Sequence, residues 1–209
     1  MILIGQYDSS FVRRVGIALR LYGIPFEHRP WSIFGNADAL QEVNPLIRVP
    51  TLVLDDGEAL IESHLILDYV DSLVPEAQRM FPCREPERHR ALKVAALATG
   101  FADKGVTLFY EKALHKDALS PVWVERCVSQ IRASAGVLEA DRAGRSTPYW
   151  FGDRIGHADI AVACAWRHVT DAHPGLIDAA DYPALSAHAA RLEALPVFQE
   201  ISQPFIAPT

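Results

Sequence analysis

The chain has 209 residues, half of them hydrophobic, which is enough to bury the core of one large domain or two small ones. Its formal net charge of −6 argues against a nucleic-acid partner, which would need a basic face. No apolar run reaches the ~18 residues of a membrane span, and the apolar start lacks the basic region of a signal peptide. We therefore expect a soluble globular protein.

The first thirty residues predict a βαβ unit. A short apolar strand over 2–5 is followed by apolar residues at helical spacing over 12–23. Gly23 is a natural residue to end that helix. Residues 24–28 predict a second strand, which in a βαβ unit lies parallel to the first.

The next part of the chain completes a small α/β domain. Residues 31–44 are mixed, with room for one or two helical turns. Asp56-Gly57 separates two short apolar runs within 50–61, which predicts an antiparallel hairpin. A helix over 63–73 follows. The order β-α-β-α-β-β-α is that of a thioredoxin-like domain, which we place at residues 1–80.

The second part of the chain is predicted to be all-helical. Residues 74–86 hold three prolines and little periodicity, which indicates an inter-domain linker. From 87 to 209 the sequence suggests no strand, so the fold class is α/β plus all-α, a thioredoxin-like domain followed by a helical bundle. Helices are expected to begin at or near Pro86, Pro121, Gly156 and Pro183.

The cysteines and histidines indicate no disulfide or metal site. Cys83, Cys127 and Cys164 are scattered and form no CxxC pair, which is typical of reduced thiols in a cytoplasmic protein. Cys164 lies in a long apolar run and is predicted to pack in the core. The eight histidines show no ligand spacing, so we expect no metal.

Two hydroxyls stand where the first strand gives way to the first helix. Ser9 and Ser10 follow the strand and precede the helical pattern that opens at Phe11. The start of a helix offers unpaired N–H groups and the positive end of the macrodipole, which favour a phosphate, a carboxylate or a thiolate. A serine that only caps the helix is the structural alternative.

Two further features are candidates for ligand binding. Val49-Pro50 opens a strand, and a cis bond there would turn the Val49 main chain outward, free to pair with a peptide-like ligand; an ordinary trans edge proline is the alternative. Glu62-Ser63 repeats the strand-to-helix junction, where Ser63 can cap the helix and Glu62 can pair with an ammonium group. The structural alternative, in which Ser63 only caps the helix and Glu62 is a solvated acid, is equally open. Asp159, near a later helix start, is interpreted as structural.

With these motifs in this order, the chain resembles the glutathione transferase superfamily over essentially its whole length. The resemblance rests on Ser9-Ser10-Phe11-Val12-Arg13-Arg14-Val15, Asn44-Pro45 with Val49-Pro50, Glu62-Ser63, and the helix start with Asp159. It is closest to the serine-type branch with theta-, zeta- and tau-like classes. Members of the family usually form two-fold homodimers, so the resemblance implies a homodimer as well.

The resemblance implies a role for each motif. Ser9 would donate a hydrogen bond to the sulfur of glutathione and favour the thiolate. Val49 would hold the cysteinyl backbone beside a cis Pro50, and Glu62 with Ser63 would hold the γ-glutamyl end. The resemblance further assigns Arg48 to the glycine carboxylate and places Phe11 beside the bound glutathione.

The chain also departs from the family pattern. Many serine-type members have proline after the catalytic serine, whereas this chain has Ser10, which is therefore a second candidate donor. Tyr7 is a third candidate hydroxyl. No cysteine occupies positions 8–11, which argues against the thiol transferases that form mixed disulfides.

A hydrophobic pocket for the electrophile is expected between the domains. Its predicted walls are Phe11, Phe34 and the long helix around Phe101, Gly105, Leu108 and Phe109, with core packing as the alternative for the helical phenylalanines. The predicted function is a glutathione S-transferase acting on a small hydrophobic electrophile. The alternatives are a non-catalytic glutathione-binding or dimerising module and a glutathione-dependent isomerase or dehalogenase.

Overall fold

The computed structural model describes residues 1–207, and residues 208 and 209 of the predicted helical domain lie outside the described residues. The first part of the chain is a four-stranded sheet of order β2-β1-β3-β4. Strand β1 is parallel to β2, and β3 is antiparallel to both β1 and β4. The strands are β1 (Ile2–Ile4), β2 (Glu27–Arg29), β3 (Thr51–Val53) and β4 (Ala59–Ile61). The helices of this part are α1 (Ser10–Leu21), α2 (Ala37–Val43) and α3 (Ser63–Ser72).

The rest of the described chain is helical, as predicted. Single 3-10 turns cover Glu76–Gln78 and Ala179–Asp181. An isolated bridge between Tyr149 and Gly152 is the one β-type pairing among residues 87–207. The α/β-plus-all-α prediction is therefore confirmed. The helices are α4 (Glu87–Leu114), α5 (Pro121–Ala143), α6 (His157–Ala172), α7 (Pro183–Glu193) and α8 (Pro196–Glu200).

The second strand begins three residues later than predicted, because the residues before it make the hydrogen bonds that end α1. Gly23, at φ +67°, donates to Arg20 O, and the Ile24 N–H donates to Leu19 O at 3.0 Å. This is the hydrogen-bond pattern of a glycine-terminated helix. Since Pro25 has no N–H to contribute to a ladder, pairing with β1 starts only at Glu27.

A buried arginine joins α1 to the end of the chain. The Arg13 side chain is 2 % exposed and donates to Ile201 O at 2.8 Å and to Phe198 O at 2.7 Å. It also forms a two-point ion pair with Glu193 on α7, whose Nη2 to Oε2 distance is 2.7 Å. A guanidinium is a rigid fork of donors, so these contacts fix the angle at which α1 meets α7 and α8.

Four histidines should make the fold sensitive to acid. Burial lowers the pKa of His157, His168 and His173, and it lowers the pKa of half-buried His64 to about 4. The unfolded chain binds protons near pH 6.5 and the native protein does not, so stability is full above that pH and is lost as pH falls toward the native values. We expect the free energy of unfolding to fall by about 2–3 kcal/mol between pH 7.5 and 5, after allowance for solvent screening at His64.

Urea unfolding at the two pH values measures this loss. The variant His64→Gln keeps a group that can reach the Thr99 hydroxyl, which lies 2.9 Å from His64 Nε2, and removes one titrating group. It should show a smaller loss than the native chain. Equal stability of the native protein at both pH values would contradict the expectation.

Candidate functional site

Ser9 lies at the N-terminus of α1, and its hydroxyl is not committed to capping that helix. The helix begins at Ser10, Ser9 is the capping residue, and its side chain makes no capping hydrogen bond. Its main-chain carbonyl accepts from Arg13 N at 2.9 Å, which anchors the residue in place. The hydroxyl is therefore free to donate to a group outside the helix, next to the positive end of the α1 dipole.

The neighbouring serine is in a different environment. Ser10 is 4 % exposed, and its buried hydroxyl has no hydrogen-bond partner within residues 1–207. It lines a small cavity against α6, together with Cys164 and His168. The prediction that Cys164 packs in the core is confirmed, because that side chain is 1 % exposed. The structure thus turns Ser10 toward the helical part and leaves Ser9 as the more accessible hydroxyl.

Tyr7, the third candidate hydroxyl, packs away from the start of α1. Its ring stacks on His28 with centroids 3.9 Å apart, and it lies against Gly16 of α1. Burial raises its pKa to about 12, with the charges of Arg20 and Glu200 acting on it as smaller causes.

The loop that carries Ser9 is held by residues from the other end of the chain. His168 Nδ1 lies 2.9 Å from the Asp8 carbonyl, and since a carbonyl only accepts, the ring donates through Nδ1. The Tyr7 N–H donates to Gln203 Oε1 at 3.2 Å, and the Ile206 N–H donates to the Asp8 carboxylate at 3.1 Å. The sequence analysis missed these partners because no local pattern links residues this far apart.

A cleft that includes Phe11, two residues after Ser9, brings together the predicted glutathione-binding residues. The Val49-Pro50 bond is cis, and Val49 precedes β3, so its main chain takes no part in the strand ladder. Asn44 supports this segment, since its amide donates to Arg48 O at 2.9 Å and to Thr51 Oγ1 at 3.0 Å. Asn44-Pro45 was part of the family resemblance, and this anchoring role of Asn44 was not predicted from the sequence. The cleft is lined by Phe11, Asn44, Leu46, Arg48, Val49, Pro50, Ile61, Glu62 and Ser63.

The second strand-to-helix junction differs from the prediction in one respect. Ser63 is the first residue of α3 rather than its cap, because Glu62 takes the capping position with φ +67°. A non-glycine residue in this region is strained, and such strain concentrates at functional sites. The Glu62 carboxylate lies 3.4 Å from Arg48 Nη1, and both side chains are more than half exposed. The exposed pair therefore stands at the mouth of the cleft.

The predicted electrophile pocket is only partly assembled. Phe34 is exposed and packs edge-on against Tyr110, and Phe109 packs edge-on against Phe205 of the C-terminal segment. Phe101 and Leu108 instead lie in the core at 2 % and 0 % exposure, so their side chains do not line a surface cleft. They occupy the face of α4 that packs against the other helices, as the core alternative anticipated.

Tyr110 was missed by the sequence analysis, although its ring packs edge-on against Phe34, a predicted pocket residue. Burial raises its pKa, and the charges of Arg48 and Asp8 both act on that pKa. Helical spacing alone did not distinguish this exposed face of α4 from its buried one.

Two features are absent from residues 1–207. Residues 1–207 bring together no group of three or more His, Cys, Asp or Glu side chains able to hold a metal ion. Among the same residues, no helix combines the length and the apolar character needed to cross a membrane.

Comparisons with known proteins agree with the fold. Residues 3–78 match the family described as glutathione S-transferase, N-terminal domain, and residues 121–191 match glutathione S-transferase, C-terminal domain. The uncharacterized GST-like protein YibF of Escherichia coli is 33 % identical over 165 residues, which cover 79 % of this chain and 80 % of that protein. Maleylacetoacetate isomerase of Mus musculus is 26 % identical, with 97 % of this chain and 92 % of the isomerase covered.

A solved structure supports the same assignment. The crystal structure of a glutathione S-transferase from Methylobacterium radiotolerans, in complex with glutathione sulfonate, superposes with a TM-score of 0.88. It is 27 % identical and covers 100 % of this chain and 98 % of its own. Sequence, fold and domain order thus agree, and the chain belongs to the glutathione S-transferase superfamily.

Proposed function

We propose that this protein is a glutathione S-transferase in which Ser9 activates the thiol of glutathione for attack on a hydrophobic electrophile. The observation that carries the proposal is the uncommitted Ser9 hydroxyl at the start of α1. It stands two residues before Phe11, a residue of the cleft. The similar protein from Methylobacterium radiotolerans, with glutathione sulfonate bound, supports glutathione as the ligand of that cleft.

The chemistry needs a lowered thiol pKa. An unperturbed thiol has a pKa of ~8.5 and is mostly protonated at neutral pH. A hydrogen bond from Ser9 and the positive end of α1 both favour the thiolate, which is the attacking nucleophile. The thiolate then forms a bond to the electrophilic carbon, by addition or by displacement of a leaving group.

The remaining cleft residues would hold the rest of the peptide. The Val49 main chain would pair with the cysteinyl residue, as an added strand pairs with a sheet edge. Glu62 and Ser63 would take the ammonium and carboxylate of the γ-glutamyl end, and Arg48 the glycine carboxylate. Arg48 already lies 3.4 Å from Glu62, so bound glutathione would separate these two side chains.

The test is a titration with glutathione that follows the ultraviolet absorbance of the thiolate across pH. For Ser9→Ala we expect binding within a few-fold of the native protein and a bound-thiol pKa raised by about 1–2 units. The value of kcat/KM at pH 6.5 should fall about 10- to 100-fold, because each pKa unit removes a factor of ten in thiolate. The matched controls Ser10→Ala and Tyr7→Phe should leave the thiol pKa unchanged.

Each other outcome has a definite meaning. Binding by the native protein without thiolate formation would make it a non-catalytic glutathione-binding module. A lowered thiol pKa that disappears in Ser10→Ala, but not in Ser9→Ala, would transfer the role to Ser10. No binding at millimolar glutathione would overturn the proposed function and leave the family membership intact.

The similarity to maleylacetoacetate isomerase favours a second candidate, a glutathione-dependent isomerase. In that case the thiolate adds to the substrate and is released again. Glutathione would therefore stay constant during turnover, whereas a transferase consumes one glutathione per product. Measuring how much free glutathione thiol is lost for each product formed distinguishes the isomerase from the transferase.

The proposal includes a homodimer in the cytoplasm. Leu65 on α3 and Leu73 directly after that helix are exposed and supply apolar surface of the kind that a self-complementary interface buries. Light scattering at micromolar concentration measures the mass directly.

A further inference from the structure

Arg14 is a buried cation that lacks the partners such a group normally has. It lies on α1 and is 1 % exposed. Its Nη1 contacts Ser63 Oγ at 3.4 Å, while its Nε and Nη2 have no hydrogen-bond partner within residues 1–207. Buried charges in folded proteins are usually paired, because an unpaired one is strongly destabilising. A group of this kind calls for an explanation.

The preceding residue shows what a satisfied buried arginine looks like in the same helix. Arg13 is 2 % exposed, pairs with the Glu193 carboxylate at two points, and donates to two main-chain carbonyls. A fully paired buried arginine and an unpaired one are therefore neighbours in the same turn of α1. Arg13 serves the packing of the helices, and Arg14 has no comparable role in the described structure.

The other titratable groups near Arg14 offer no counter-charge. Burial raises the pKa of the Cys164 thiol to about 11, so that thiol is neutral at pH 7. His64 and His157 are neutral as well, since burial lowers both pKa values, and the Arg14 charge lowers them further. Asp71 is committed elsewhere, to His157 Nε2 at 2.7 Å and to Tyr22. Burial lowers the pKa of Arg14 to about 10, which still leaves it charged at pH 7.

Ser63 connects this cation to the cleft. Its hydroxyl oxygen accepts from Arg14 Nη1 on the inner side, and the residue lines the cleft together with Glu62. With its oxygen so occupied, the Ser63 hydroxyl has its hydrogen available for a group in the cleft. Ser63 is also the first residue of the ten-residue helix α3, whose positive end points the same way.

We propose that Arg14 is the positioning residue that makes this end of the cleft select a carboxylate, acting through the Ser63 hydroxyl. The inference deepens the proposed function, since the carboxylate in question is that of the γ-glutamyl group of glutathione. Arg14 supplies the positive charge from the buried side of Ser63, without touching the ligand. The ligand's carboxylate is then the counter-charge that the folded chain itself does not provide.

The experiment compares two ligands by calorimetry. One is glutathione, and the other is 4-aminobutyryl-cysteinyl-glycine, which lacks only the γ-glutamyl carboxylate. The native protein should prefer glutathione by about tenfold or more. In Arg14→Met this preference should shrink to about two- to threefold, while the melting temperature stays equal to or above that of the native protein, because an unpaired buried charge has been removed.

Matched variants separate this role from a general loss of affinity. Arg48→Met removes an exposed cation of the same cleft and should weaken both ligands alike, leaving the preference intact. Ser63→Ala should reduce the preference as Arg14→Met does, and the double variant should lose no more than either single one, because the two residues act in series. Ser63→Ala also decides the matter if Arg14→Met does not fold.

Three results would overturn the inference. They are a native protein that binds both ligands equally, a folded Arg14→Met variant that keeps the native preference, and a Ser63→Ala variant that keeps it. In each of these, thiolate formation on bound glutathione would still support the proposed function. A native protein that binds neither ligand would instead overturn the proposed function, and the inference with it.

Discussion

Replacing Asp159 with alanine is expected to lower the free energy of unfolding by about 3–5 kcal/mol. The carboxylate is 1 % exposed and accepts from Trp150 N at 2.8 Å and from Gly156 N at 2.9 Å. It thereby closes the first turn of α6 and joins it to the segment before the helix. Alanine leaves two N–H donors without partners, and the Trp150 side chain over them is fully buried.

Urea unfolding of Asp159→Ala and Asp159→Asn measures the effect. Asparagine keeps one acceptor oxygen and the volume, so we expect it to cost about 1–2 kcal/mol. Because Asp159 makes none of the contacts that form the cleft, the thiol pKa of bound glutathione should be unchanged in the folded fraction. A loss below 1 kcal/mol in Asp159→Ala would show that neither N–H depends on the carboxylate.

Gly5→Ala is expected to cost a similar amount, about 3–5 kcal/mol, and also to disturb the cleft. Gly5 has φ +129°, a conformation that L side chains rarely adopt. An added Cβ would lie 2.5 Å from Val12 Cγ2 and 2.8 Å from Val49 Cβ. Both neighbours are β-branched and stiff, so the backbone of β1 or of the Val49 segment must move. Because Val49 would hold the cysteinyl part of glutathione, affinity should fall together with stability.

Gly57→Ala is the matched control for backbone strain. Gly57 also has positive φ, +91°, but a Cβ there meets nothing within 4 Å. That substitution should cost only about 1–2 kcal/mol and leave glutathione affinity unchanged. If the two variants lose equal stability, the close approach of Val12 and Val49 is not what requires glycine at position 5.

Local patterns predicted much of this fold. Asp56-Gly57 produced the expected hairpin, with Gly57 at positive φ and Asp56 accepting from Glu58 N. Ser120 caps α5 through Trp123 N, and Pro121 stands at the first helical position. Such signals work because the physical cause lies within four residues of its effect, where the side chains involved are adjacent in sequence and in space.

The candidate site was harder to predict because the contacts that determine its geometry join residues far apart in the sequence. Phe101 and Phe109 are both phenylalanines on α4, so their sequence context does not distinguish them. Tertiary packing buries Phe101 deeply and places Phe109 against Phe205 of the C-terminal segment. The positive φ of Glu62 has no local signature either, since glycine is the usual residue there. Arg14 was part of the family motif, yet its lack of a counter-charge becomes visible only when its surroundings are known.

The contacts around the Ser9 loop also bear on the order in which the protein can be completed during synthesis. Tyr7, Asp8 and Arg13 leave the ribosome before their partners, which lie 180 to 198 positions further along the chain. A nascent chain can form the hairpin and α1 from local contacts alone, but this loop must wait for Gln203 and Ile206. The Ser9 loop therefore reaches its final form only after the helical part has folded against it.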